Sequence, residues 1–210
     1  MSTSAPRPNE AERLEELWAG DFGDSYTERN RNAYDARGFF WARLLNTYRV
    51  HRVLEVGCNA GGNLVHIQNH ETAPVCVGVD INREALGALR DRVPAASGVM
   101  CSARSLPFVA GTFDLVITVG VLIHQPDESL QEVMGEVVRC SSKYILCAEY
   151  EAEVKTPIAY RGAPRSLFKR PYARLYEEFF PGLKSAARGT LTEKDGFDDV
   201  TWTLFRTGPD

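Results

Sequence analysis

"VLEVGCNAGGN", Val53 to Asn63, reads as a strand that runs into a glycine loop and out into a helix. Val53, Leu54 and Val56 are apolar, and Gly57 and Gly61 let the chain turn tightly and bring its backbone close to a ligand. What the loop holds is narrowed by what it lacks. A dinucleotide fingerprint needs glycine where this chain has Asn59, because pyrophosphate presses on the backbone there. No Gly-Lys-Ser/Thr follows, so a phosphate loop is excluded as well.

Downstream, "VGVD" (Val77 to Asp80) ends a second strand on a carboxylate, in the position from which an acid accepts both hydroxyls of a ribose. Glu55 adds a negative charge just before Gly57, and a cationic tail would suit it. The expected ligand is a nucleoside whose tail is not a pyrophosphate.

The rest of the chain fits a single globular unit. It has 210 residues, 44% hydrophobic and 25% charged, and the net charge of −4 offers no general attraction to nucleic acid or to an anionic membrane. The longest apolar run, Leu115 to Ile123, is too short to span a bilayer. The opening "MSTSAPRPNE" has neither the basic start nor the apolar core of a signal peptide. The five cysteines (Cys58, Cys76, Cys101, Cys140, Cys147) are scattered and form no C-x-x-C, which suits a reduced cytoplasmic protein without structural zinc. His66 and His70 have helical metal-ligand spacing, but Ile67 stands where a metalloprotease needs Glu and no third ligand is evident, so no metal is expected.

Periodicity predicts helices over Asn9–Trp18, Ala33–Tyr48, Gly62–His70, Arg83–Arg92, Ser129–Arg139 and Tyr172–Phe179. Strands are predicted at Val53–Val56, Val75–Asp80, Gly98–Cys101, Leu115–Val119, Tyr144–Ala148, Leu183–Gly189 and Val200–Phe205. The alternation implies a Rossmann-like α/β fold: a mostly parallel seven-stranded sheet closed by an antiparallel terminal hairpin. Residues 1–8 read as a tail, 9–49 as an N-terminal helical arm or lid, and 50–210 as the core. Within the core, about residues 150–182 form an insert whose first part, to Pro171, has no sustained period and reads as loop.

The motifs over roughly residues 50–150 resemble those of class I S-adenosylmethionine (SAM)-dependent methyltransferases. They are E-x-G-x-x-x-G at Glu55, Gly57 and Gly61, the acid Asp80, "CSARSLPF" from Cys101 and "FDLVITVGVLIH" from Phe113. The resemblance implies SAM as cofactor or substrate, with Ile81 against the adenine and Val119 beneath the sulfonium. In the family an acid often precedes the alanine equivalent to Ala103 and takes the adenine amine; Ser102 stands there instead.

No N-P-P-Y-type segment follows the fourth strand, so the chemistry expected is on small molecules, not DNA or protein. His124, at the end of that strand, is the candidate general base by type; the alternative is that it caps a helix or orients a loop. In "LWAGDFGDSYTERN" (Leu17 to Asn30), Phe22 and Tyr26 would close over the cofactor while Arg29 and Asn30 reach its carboxylate; alternatively this stretch merely covers the sheet. The insert concentrates aromatic and basic residues, including Tyr160 and Tyr176.

These flanking segments resemble a subgroup of small methylases associated with pseudaminic acid biosynthesis, and the azetidine-2-carboxylate synthases. That resemblance implies cyclisation of SAM itself: its amine attacks its own γ-carbon and methylthioadenosine leaves. Tyr176 is then the first choice for a ring facing the sulfonium, followed by Tyr26 and Tyr160. Conventional methylation of a small acceptor is the alternative, and a non-catalytic SAM-binding protein the third reading. Oligomeric state is left open.

Overall fold

The computed structural model describes residues 9–31 and 35–208. The predicted tail and the start of the predicted second helix, at Ala33, lie outside those residues. Seven strands form one sheet: β1 (Arg52–Val56), β2 (Val75–Asp80), β3 (Ser97–Met100), β4 (Phe113–Val119), β5 (Ser141–Glu149), β8 (Leu183–Leu191) and β9 (Val200–Thr207). Their order across the sheet is β3-β2-β1-β4-β5-β9-β8. The pairs from β3 to β5 are parallel, whereas β9 runs antiparallel to both β5 and β8. The expected parallel sheet with an antiparallel terminal pair is therefore the observed architecture.

Both faces of the sheet are covered, which is why its central strands are nearly continuous in apolar residues. On β4, Leu115 and Ile117 enter one core cluster with Trp41, Leu64 and Leu89, while Val116 enters the opposite cluster with Val133, Met134 and Tyr176. The helices that cover the faces are α3 (Gly38–Thr47), α4 (Leu64–Gln68), α5 (Arg83–Arg92), α6 (Asp127–Cys140) and α7 (Tyr172–Phe179). Among the described residues no helix is long and apolar enough to cross a membrane.

The arm is two helices, α1 (Glu10–Ala19) and α2 (Asp21–Asn30). α1 starts on a capping box, Asn9 Oδ1 accepting from Glu12 N at 2.9 Å while Asn9 N donates to Glu12 Oε2 at 3.0 Å. The arm docks through Asn82, whose Nδ2 donates to Trp18 O at 3.1 Å and Asp24 Oδ1 at 2.7 Å.

The insert differs from expectation. It is a β-hairpin, β6 (Thr156–Tyr160) and β7 (Ala163–Lys169), joined by Arg161 at φ +49° and Gly162 at φ +83°. Two successive left-handed residues make the tight turn that fits strand twist. An Arg in the first position, where Asn or Asp usually stands, leaves the turn without its usual sequence signal.

Candidate active site

β1 leads to β2 and β3 on one side and β4 lies on the other, so the chain reverses direction across the carboxyl ends of β1 and β4. A cavity of about 170 Å³ opens there. Its floor is the glycine loop. Gly57 has φ +68°, and a Cβ on it would lie 2.5 Å from Val121 Cγ2, so both backbone angle and space demand glycine. Gly61, expected to face the ligand, instead serves packing. At φ +74° it lets Leu89 of α5 approach the loop, and it does not line the cavity.

Asp80 ends β2 and lines the cavity. Its Oδ2 accepts from Asn59 N at 2.8 Å and its Oδ1 from Asn82 N at 2.9 Å. Burial raises the Asp80 carboxyl above its ordinary range, and these backbone N–H bonds oppose that rise. Asn59 thus serves by its backbone, at φ +44°, while its Oδ1 accepts from Thr27 Oγ1 of α2 at 2.8 Å.

Glu55 is 2% exposed, and burial pushes its carboxyl up to about 8. Oε1 accepts from Asn63 Nδ2 at 2.6 Å; Oε2 is buried without a hydrogen-bond partner among the described residues. Asn63 Oδ1 in turn accepts from Arg37 Nη1 at 2.8 Å and Trp41 Nε1 at 3.2 Å. Arg37, whose Nε donates to Gly196 O at 2.8 Å and whose guanidinium lies 4.1 Å from the Phe197 ring centre, lines this end of the cavity. Nothing in the sequence marked Arg37, because its partners come from the loop after β1 and the turn before β9.

The roof is the arm. Trp18, Tyr26 and Thr27 face the cavity, with Tyr26 edge-on to Trp18 at 5.3 Å and Phe22 behind at 5.1 Å. Trp18 Nε1 and Asn59 Nδ2 are buried N–H donors without partners among the described residues. Arg29 and Asn30, expected to reach a carboxylate, do not line the cavity. Arg29 is exposed on the outer side of α2, and Asn30 Nδ2 turns back to Tyr26 O at 2.8 Å.

His124 forms the wall after β4. Its Nδ1 lies 2.6 Å from Ser166 O of the hairpin; because a carbonyl can only accept, Nδ1 carries the proton. Burial lowers the imidazole to about 4, so the ring is neutral and Nε2 is its basic nitrogen, without a protein partner among the described residues. Trp18 and Tyr160 pack on the ring at 4.4 and 5.6 Å. The loop carrying it is held by Glu149, buried at the end of β5, which accepts from the N–H groups of Val121, Leu122 and Ile123 at 3.1–3.3 Å.

Ile81, Ala103 and Val119 line the cavity, whereas Ser102 does not. Its hydroxyl donates to Glu15 of α1 and accepts from Arg104 N at 3.0 Å. Tyr176 is the main correction. It is fully buried in the core against Phe205 (5.1 Å) and Phe180 (6.1 Å) and does not line the cavity, because the apolar face of α7 turns toward the sheet and carries Tyr176 with it. Tyr160 sits behind His124 and not in the lining; of the three tyrosines chosen, Tyr26 faces the cavity. His70 bonds Thr72 and Asn46, and no metal-holding cluster of His, Cys, Asp or Glu occurs among the described residues.

Residues 53–143 match the family model described as a methyltransferase domain. In structure the chain is similar to a Burkholderia thailandensis 1,6-didemethyltoxoflavin N1-methyltransferase, at a TM-score of 0.72 with 14% identity, over 99% of this chain and 94% of that one. This is the class I methyltransferase fold. The magnesium protoporphyrin IX methyltransferase of Synechocystis shares the same fold, at a TM-score of 0.71 and 13% identity over 98% of this chain and 100% of that one. In sequence, an uncharacterized methyltransferase of Synechocystis is 34% identical over 88 residues, 42% of this chain and 41% of that protein. The chain spans under half the length of the curated relatives it matches. The matched stretch, residues 53–143, carries the floor of the site, Asp80 and His124, while the roof lies outside it.

Proposed function

We propose that this chain is a SAM-dependent methyltransferase acting on a small hydroxyl or amine acceptor. The observation that carries the reading is the pairing of two acids in one cavity. Asp80 is held by backbone amides at the end of β2, and the Glu55 oxygen has no partner beside the Gly57 turn. The first suits a ribose diol and the second an ammonium group, and the floor tolerates no pyrophosphate. These are the ends of SAM's adenosyl and amino-acid parts. The match of residues 53–143 to the methyltransferase-domain model, and the S-adenosylhomocysteine in the Burkholderia structure, support the same ligand.

When bound, SAM supplies an electrophilic methyl group on a sulfonium. The chain's own residues then divide the work in three. Glu55 would hold the ammonium group of SAM and Asp80 its ribose, with Val119 and Gly120 lining the cavity between them. The arm, with Trp18 and Tyr26 lining the cavity, would exclude water and offer aromatic faces to a sulfonium. His124 Nε2, the basic nitrogen of a neutral ring, would take up the proton that an acceptor hydroxyl or amine gives off.

Cyclisation to azetidine-2-carboxylate rests on the subgroup resemblance alone. It stands second, since Tyr176, its leading aromatic residue, lies in the core. One assay separates the two. The protein is incubated with SAM alone and with a panel of small hydroxyl and amine acceptors, and products are identified by mass spectrometry. S-adenosylhomocysteine formed only with an acceptor is the expected result. Methylthioadenosine with an equimolar four-carbon amino acid, formed from SAM alone, would replace methyl transfer with cyclisation. Absence of SAM binding by calorimetry would overturn both.

A further inference from the structure

Resting on the SAM reading above, we infer that Glu15, on the N-terminal arm, is the residue by which this protein recognises the adenine base, in place of an acid on the sheet. The cavity has a direction set by strand order. Glu55, Gly57 and Val119 lie at its β1–β4 end, Asp80 at the tip of β2, and Ile81, Cys101 and Ala103 toward β3. A ribose on Asp80 with its tail at Glu55 must send its base toward β3. The lining there is apolar, from Ile81, Cys101 and Ala103, and α1 adds Leu14 to the same cavity. The charged side chain that enters this end from the arm is Glu15.

Glu15 is fixed, not free to swing. One carboxylate oxygen accepts the Ser102 hydroxyl proton, and the other lies 3.6 Å from Arg104 Nη1. Ser102 is thereby occupied twice, donating to Glu15 and accepting from Arg104 N at 3.0 Å. A carboxylate has about four acceptor sites, so Glu15 keeps capacity for a further donor. The edge of adenine offers such a donor in its exocyclic amine; hypoxanthine presents an oxygen there, which a carboxylate repels. Because Glu15 belongs to α1, reading the base and seating the arm become one event.

The test compares the affinities of S-adenosylhomocysteine and S-inosylhomocysteine by calorimetry. The native protein should prefer the adenine compound by about tenfold or more, as expected for a charge-assisted hydrogen bond. In Glu15→Gln, whose amide can also donate to an oxygen, that preference should collapse to about threefold or less. Ser102→Ala, which frees Glu15 without removing it, should narrow the preference by a smaller factor. Glu15→Ala/Ser102→Asp should restore it, because an acid then stands at the end of β3 beside the same base edge. Equal weakening of both compounds in Glu15→Gln, with the ratio unchanged, would mean that Glu15 only holds the arm and would overturn the proposal. Failure of the native protein to bind either compound is a different result: it would remove the SAM reading on which the proposal rests.

Discussion

Asn63 Nδ2 donates to Glu55 Oε1 at 2.6 Å, and the second oxygen of that buried carboxylate has no partner among the described residues. A half-satisfied buried carboxylate prefers its proton, which is why Glu55 is pushed up to about 8. A cation placed against Oε2 reverses that preference. The electrostatics of the site therefore depend on whether an ammonium group is present.

Two pH effects follow. The folded state holds the Glu55 proton more tightly than the unfolded chain, so this residue's contribution to stability is complete below pH 4.5 and lost as pH rises to about 8. Glu55→Gln should therefore gain stability relative to the native protein between pH 5 and about 8, measured by denaturant titration. SAM binding should have the opposite slope: its ammonium group favours ionised Glu55, so affinity rises from about pH 6 to 8 with proton release. Calorimetry in buffers of different ionisation enthalpy reads that proton. Proton release undiminished in Glu55→Gln would place the effect elsewhere.

The His124 imidazole is kept neutral by burial and oriented by Ser166 O. Replacing it by Gln should lower turnover by about 10²–10⁴-fold while leaving SAM affinity nearly unchanged, as for loss of a general base. At saturating SAM, native turnover should stay level as pH falls toward about 4, where the ring takes its proton. A break near 6.5 would mean that the ring is not buried during turnover.

At Gly57 a methyl group meets Val121 Cγ2 at 2.5 Å and the backbone sits at φ +68°. Gly57→Ala should cost about 1–2 kcal/mol for the left-handed conformation alone, and more for the clash. Adding Val121→Ala should recover the clash and not the backbone strain. Thermal unfolding of the single and double variants measures both parts; no recovery in the double variant would show that Val121 is not the obstacle.

The Tyr176 hydroxyl is buried with no hydrogen-bond partner among the described residues. Tyr176→Phe removes that unpaired group and should leave stability unchanged or improved, with activity unaltered. Tyr176→Ala should cost about 3–5 kcal/mol through the cavity left beside Phe205. A loss of turnover in Tyr176→Phe at full stability would return this residue to the site.

The parts of this protein that depend on neighbours in sequence were legible from the sequence. Strand, glycine loop and helix at Val53 to Asn63 are local patterns, and the acid at the end of β2 follows from strand length and periodicity. From them came the sheet, the floor of the cavity and the positions of Glu55, Gly57, Asp80 and His124, while Ile81, Ala103 and Val119 came from the resemblance to class I methyltransferases. The tertiary structure decided what comes from far along the chain. Arg37 reaches Asn63 and Gly196, Ser166 O sets the His124 proton, and Glu15 meets Ser102, and no local period encodes which distant side chains converge. The same limit misplaced Tyr176. An aromatic residue at helical spacing serves a core or a pocket equally well in sequence, and the packing of α7 against the sheet decides for the core.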